Sequence, residues 1–335
     1  MEKHKQMLTS SEIAHLWISY MVDDMAQCCL QYFLHKCEDE NISSILQYAL
    51  HLSQRHVQTV TSIFESEAIP IPIGFTDQDK NLDAPRLFSD AFVLLYLHQL
   101  ANTGLTYYSK ALAMATREDV HQFYTACISS STELNARTKH TLLSKGLYVR
   151  SPYVPIPEKA EMTEKLGFLK GFLGEQRSIT VMEIACCFSN LQSAEVVKTL
   201  MIGFSQVAKA KDVKDFFQRG KQIALKQSEL FRGILTDEDL AASIPWDTYI
   251  SDTTIAPFSD KLMMFHGAML TGAGIEQFGF SLATSMRRDL GVRYSQLLAE
   301  MLTYADDGAN LMIKNGWLEQ IPLAADRFAL QHSPV

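Results

Sequence analysis

The chain has 335 residues, 47 % of them hydrophobic and 20 % charged, with a formal net charge of −8. These are globular values, enough for two cores, and the acidic balance without any run of five like charges excludes a basic nucleic-acid or anionic-membrane surface. No apolar stretch approaches the ~18–20 residues of a bilayer span, and "MEKHKQMLTSSE" has no leader-like apolar core, so a soluble, cytoplasmic protein is expected.

In chain order the first periodic segment, 11–37, steps through Ile13, Leu16, Trp17, Tyr20, Met21, Asp24 and Cys28 at intervals of three and four, mostly apolar. Thr9 precedes Glu12 by three residues, the capping-box spacing. A second helix is expected over 42–64, opened by Asn41. About twenty residues without periodicity follow, "EAIPIPIGFTDQDKNLDAPRL". The third helix is expected over 90–116, capped by Ser89, with Phe88 and Val93 as a hydrophobic staple, and the fourth over 119–145, capped by Asp119 and stopped by Gly146.

The pattern then recurs. "LFSDAF" at Leu87 is answered by "PFSDKL" at Pro257, and residues 88–146 align without a gap to 258–316 at an offset of 170. Identities include Gly104/Gly274, Arg117/Arg287, Asp119/Asp289, Tyr124/Tyr294 and Gly146/Gly316. Thr180 and Glu183 repeat the capping box of Thr9 and Glu12 at an offset of 171, and Asp212 repeats Asn41. The chain therefore divides into a first unit (1–150), a spacer (151–178) and a second unit (179–330). The spacer starts extended at Pro152, Pro155 and Pro157, and Phe168, Leu169, Phe172 and Leu173 suit a short apolar helix face.

Four long helices per unit make an all-α fold of two tandem four-helix bundles. A 26-residue helix is about 39 Å long, and twenty extended residues reach ~65 Å, so the link between the second and third helices can run the length of the bundle. That is the ferritin-like arrangement with one long crossover.

The stretches "IPIPIGFTDQD", "PRLFSDAF", "GLYVRSPY", "GFSQVAKAKDVKDFFQRGK", "PFSDKLMMFH" and "NGWLEQIP" carry a resemblance. The whole chain resembles a family of uncharacterised proteins from spore-forming bacteria built from two ferritin-like bundles, some labelled as similar to spore coat proteins. The resemblance implies the fold and a spore association. It brings no catalytic residue.

Ferritin-like bundles raise the di-metal question, and Glu12/His15 and Glu118/His121 both have the Glu-x-x-His spacing. Glu12 is the partner of Thr9, however, and a cap at Asp119 leaves Glu118 outside its helix. Both pairs sit in first turns, and the second unit has Cys186 and Gly291 in place of the histidines. His56 and His98, within helices, are candidates for a transition-metal or haem site. No cofactor is expected; Fe, Mn or Zn is the alternative. Arg117-x-Asp119 and Arg287-x-Asp289 suit either an anion site at a helix start or a structural tie to loop carbonyls and a crossover carboxylate. "HGAMLTGAG", with Gly267, Thr271 and Gly274 on one side, suits a close helix approach or an apolar slot beside Met263, Met264 and Met269. Six cysteines in two adjacent pairs and two singles form no disulfide framework.

The expected function is a non-enzymatic structural or interaction protein, self-associating or binding spore-coat proteins. A ferritin-like metal or oxygen-chemistry protein and a small apolar ligand binder are the alternatives.

Overall fold

The computed structural model describes residues 6–163, 166–171, 177–242, 249–327 and 331. They form eight long helices: α1 (Ser10–Lys36), α2 (Glu40–Ser66), α3 (Asp90–Met114), α4 (Glu118–Ser144), α5 (Val181–Val207), α6 (Lys211–Thr236), α7 (Asp260–Thr284) and α8 (Arg288–Lys314). Among the described residues there is no β-strand, only two isolated bridging pairs.

Helix ends fix the topology. Thr9 and Thr180 form the expected capping boxes, and Ser89 and Ser259 accept from the N–H of Phe92 and Leu262. Gly146 (φ 68°) and Gly316 (φ 69°) end α4 and α8 in the left-handed conformation that glycine adopts without strain. The carboxylate of Glu12, at the start of α1, accepts from the backbone N–H of Thr116 and Arg117, at the start of α4 (both 2.8 Å). Asp90, at the start of α3, accepts from the N–H of Glu38 and Asp39, just before α2 (both 2.9 Å). So α1 runs with α4 and α2 with α3, and the crossover travels the bundle length. Glu183 with Met286 and Arg287, and Asp260 with Lys209 and Ala210, repeat both ties. Each unit is a four-helix bundle in which α1 pairs with α2 and α3 with α4, and α5 with α6 and α7 with α8.

The units pack through α1 against α7 and α3 against α5, and their buried residues form one continuous core. The outer helix α2 buries a single stripe, Ile42, Ile45, Leu46, Ala49, Leu52 and Val60. The inner helix α1 buries residues on nearly every side, including Leu16, Met21, Met25, Cys29 and Phe33, because it is covered by its own bundle and by the other. The crossovers meet at the seam, where Lys80 bridges to Phe258 and Phe88 to Ile250.

Several expectations are corrected. Asp39, not Asn41, caps α2, because its side chain reaches the N–H of Asn41 and Ile42. Ala210 stands at the start of α6 without a side-chain cap, and Asp260 takes the N–H of Ala210 instead. The Phe88 ring also lies against Phe92, Phe33 and, across the seam, Phe204. In the spacer a 3₁₀ turn covers Leu166–Leu169, and Arg177 stacks on Phe168 at 4.1 Å. The expected partners Phe172 and Leu173 lie outside the described residues.

Because Asp90 and Asp260 each satisfy two N–H groups of a neighbouring helix start, Asp90→Ala and Asp260→Ala are each expected to lower stability by about 1–3 kcal/mol. Urea unfolding checks this, and the two losses should be similar.

Candidate functional site

In the middle of α1, Ser19 and Asp23 lie one turn apart, and both are buried. The length of α2 brings His56 to the same level, and α3 and α4 contribute Tyr108 and Tyr124. His56 Nδ1 lies 3.0 Å from Asp23 Oδ2, and the Tyr108 hydroxyl donates to the same oxygen at 3.3 Å. The imidazole is held edge-on by the rings of Tyr108 and Phe123. Ser19 Oγ and the Tyr124 hydroxyl are 3.4 Å apart. Burial, and then the Asp23 charge, pushes the Tyr108 hydroxyl well up, so it stays a donor. Asp23 thus orients His56, leaving Nε2 as the second ring nitrogen of a carboxylate–imidazole pair.

The row continues to the bundle end. Tyr107 donates to the His15 carbonyl at 3.0 Å, and His15 Nδ1 lies 3.3 Å from the same hydroxyl. Burial lowers the His15 pKa. The second bundle lacks this row. Asp23, His56 and Tyr108 are replaced by Ala194, Gln227 and Phe278. Glu195, the counterpart of Asp24, is instead fully buried beside Ser228, Arg232 and Lys198, whose Nζ is 2.8 Å away.

The other candidates are dispersed. Glu12 closes a clasp repeated in both bundles: Arg117 grips Asp119 through two nitrogens (both 2.7 Å) and Glu67 of the crossover (2.8 Å), and Arg287 does the same with Asp289 and Glu238. Asp119 therefore holds the arginine, and α4 starts one residue earlier than expected, with Glu118 inside it. Glu118 and His121 are both exposed, and Glu118 accepts from Gln122. His98 is apart from His56, bonded to Thr138 Oγ1 at 3.0 Å under the Tyr148 ring; burial, and then Lys139, lower its pKa to about 4. Among the described residues no three His, Cys, Asp or Glu side chains converge to hold a metal ion. The glycine side of α7 is closely packed: a Cβ on Gly267 would lie 3.3 Å from Phe217, and one on Gly274 3.2 Å from Met301. All six cysteines are free thiols, and burial pushes Cys28 and Cys187 up to about 12.

A carboxylate cluster escaped the sequence reading. Asp24 accepts from the Phe75 N–H at 2.6 Å, while Glu319, far along the chain, accepts from Ile73 (2.8 Å) and Gly74 (2.7 Å). Gly74 has φ 64°, and a Cβ there would lie 2.2 Å from Asp24 Oδ2, which explains the glycine in "IPIGF". Burial raises the Asp24 pKa. Asp23 itself was legible only by comparing the two copies, where it faces Ala194.

Burial opposes ionisation of Glu12, but the N–H groups of Thr9, Arg117 and Thr116 outweigh it and hold the carboxyl at about 2. Glu183 also sits at about 2, against burial, through Arg177 and the N–H groups of Thr180 and Arg287. A folded pKa below the unfolded value gives stability that is full above the unfolded pKa, ~4.3, and is lost as pH falls toward the folded one. Stability is therefore expected to drop between about pH 4.5 and 2. Glu12→Gln with Glu183→Gln should be less stable at pH 6 and show a shallower fall, measured by urea midpoints across pH.

The model for the family described as a protein of unknown function, DUF3231, matches residues 1–160 and again 167–330. No curated protein matches the chain. A crystal structure from Bacillus halodurans C-125, of a protein provisionally named a spore coat protein, aligns at 16 % identity with a TM-score of 0.39, over 47 % of this chain and 98 % of that one. With the family domain matched twice over nearly its whole length, the chain belongs to the DUF3231 family as two tandem copies.

Proposed function

We propose that the protein is a non-enzymatic structural and interaction component that self-associates through one end of its second bundle. The observation that carries this reading is a contrast between equivalent ends. Val181 and Met182 begin α5, Phe280 lies in the last turn but one of α7, and Met286 and Val292 flank the start of α8; all are exposed, Val181 to 65 % and Phe280 to 60 %. The bond from the Met286 N–H to Glu183 joins these helix ends. The counterparts in the first bundle are Ser10, Ser11, Lys110, Thr116 and Gln122, all polar. The first bundle exposes Met114 at this end but keeps these five positions polar, so the apolar set of the second bundle has a role outside the fold. Large exposed apolar clusters are characteristic of association surfaces. The clustered charges of the clasps support the structural part of the reading, since they tie helix starts to crossovers in both copies. A spore setting enters through the resemblance alone, and fractionation of spores from the source organism tests it.

A second reading, a ferritin-like metal or oxygen-chemistry protein, is favoured by the Asp23–His56 pair at mid-bundle, two residue types that ligate Fe, Mn and Zn. Elemental analysis of protein purified without chelator tests it, and below about 0.1 equivalent per chain this reading is lost. Self-association is expected to appear in sedimentation velocity as a concentration-dependent shift. Phe280→Lys with Met286→Thr, the residue types of the first bundle, should weaken it at least about tenfold with helical content unchanged. A wild-type chain that stays monomeric at about 100 µM, a concentration that populates even weak complexes, refutes the proposal.

A further inference from the structure

We infer that the seam between the bundles is a self-sufficient pairing surface: each bundle recognises a second bundle of its own kind, and the spacer is not what holds them together. This concerns a different face from the apolar end and does not rest on it.

The first argument is reciprocity. In a two-fold interface, if residue i meets j, then the counterpart of i meets the counterpart of j. Asn81 donates to Pro257 at 2.8 Å, and Ser251 donates to Leu87 at 2.9 Å. Ser259 donates to Asp79 at 3.0 Å, and Ser89 to Tyr249 at 2.9 Å. Each bond is the other's image under the offset of 170. The two bridging pairs, Lys80 with Phe258 and Phe88 with Ile250, are images as well.

The second argument is an axis. Only residues near a two-fold axis touch their own counterparts. Tyr96 of α3 and His266 of α7 are such counterparts, both buried, and the Tyr96 hydroxyl lies 3.1 Å from His266 Nε2.

The third argument is fit. Phe258 meets Tyr32 edge-to-face at 5.2 Å and Phe88 meets Phe204 edge-to-face at 6.4 Å, each reaching into the opposite unit. Gly203 makes room: a Cβ there would lie 2.5 Å from the Phe88 ring. A separated bundle would expose these aromatic rings to water, at a cost that scales with the apolar area uncovered. By contrast, spacer residues 153–163 are all exposed and take no part in the seam.

The test uses the full chain with a specific protease site inserted between Pro157 and Glu158. After native cleavage the two fragments are expected to elute together at the volume of the uncut protein, and a tag on the first is expected to retain the second. Fragments that separate on cleavage overturn the proposal. Gly203→Val should raise the dissociation constant of the cleaved pair at least about tenfold, because the overpacked side chain meets Phe88. Gly233→Ala, where a Cβ meets nothing within 4 Å, should leave it unchanged. A cleaved Gly203→Val pair as tight as wild type would also overturn it. If that variant fails to fold, the elution of the cleaved wild type decides.

Discussion

A crossover that runs the length of a bundle carries some twenty peptide groups past an apolar surface, and each N–H and C=O must find a partner. Most of what is unusual in this structure answers that constraint. The first crossover is satisfied in sequence by Glu319 at Ile73 and Gly74, Asp24 at Phe75, Asp79 at Thr76, the Pro257 carbonyl at Asn81, and the Tyr32 hydroxyl at Leu87. No single bundle supplies all of these. Pro257 belongs to the second crossover, and Glu319 follows the last helix. The extended links therefore join the two units in the act of satisfying themselves, which is why β-like bridges sit at the centre although the described residues form no strand.

Carboxylates do most of this work because an ionised carboxylate accepts several N–H bonds at once. Glu12 shows how far that goes. It takes the N–H groups of Thr9, Thr116 and Arg117, so its low pKa records an architectural role rather than a reactive one. A buried charge held this way does not stabilise through Coulomb attraction alone. Removing the partner groups would leave it unsolvated, and that asymmetry ties helix starts to each other. The same reasoning applies to Glu195, whose charge is met by Lys198 and Arg232.

The helices, their caps and the duplication were legible because each depends on residues three or four apart or on a fixed offset. Thr9–Glu12, Ser89 and Gly146 are local signals, and they read correctly. The caps misread for different reasons: α2 is capped two residues upstream by Asp39, the start of α6 is tied by the distant Asp260 at Ala210, and Asp119 of α4 is taken by Arg117. In α1 the periodicity pointed to Asp24, while Asp23 is the one that meets His56. A helix covered on both sides has no single apolar stripe, so its phase is lost. The candidate site was therefore half visible, with His56 named and Asp23 not. Glu319 had no local signal at all.

Duplication separates the structure into what a bundle must have and what one copy is free to change. Both copies retain the clasp of Glu12, Arg117 and Asp119, the aspartate that ties α3 to the start of α2, and the seam. All of these act on backbone groups or on the other bundle, so changing one of the acceptors would strand a donor. The interior at mid-height is not shared. There Asp23, His56 and Tyr108 satisfy one another, and the three can be exchanged together for Ala194, Gln227 and Phe278 without leaving an orphaned charge. The bundle end is free for a different reason, since its exposed apolar side chains lie outside the seam. An interior triad kept in one copy and an apolar end kept in the other are thus the two places where the fold's own requirements are silent, and where selection for something beyond folding can be read.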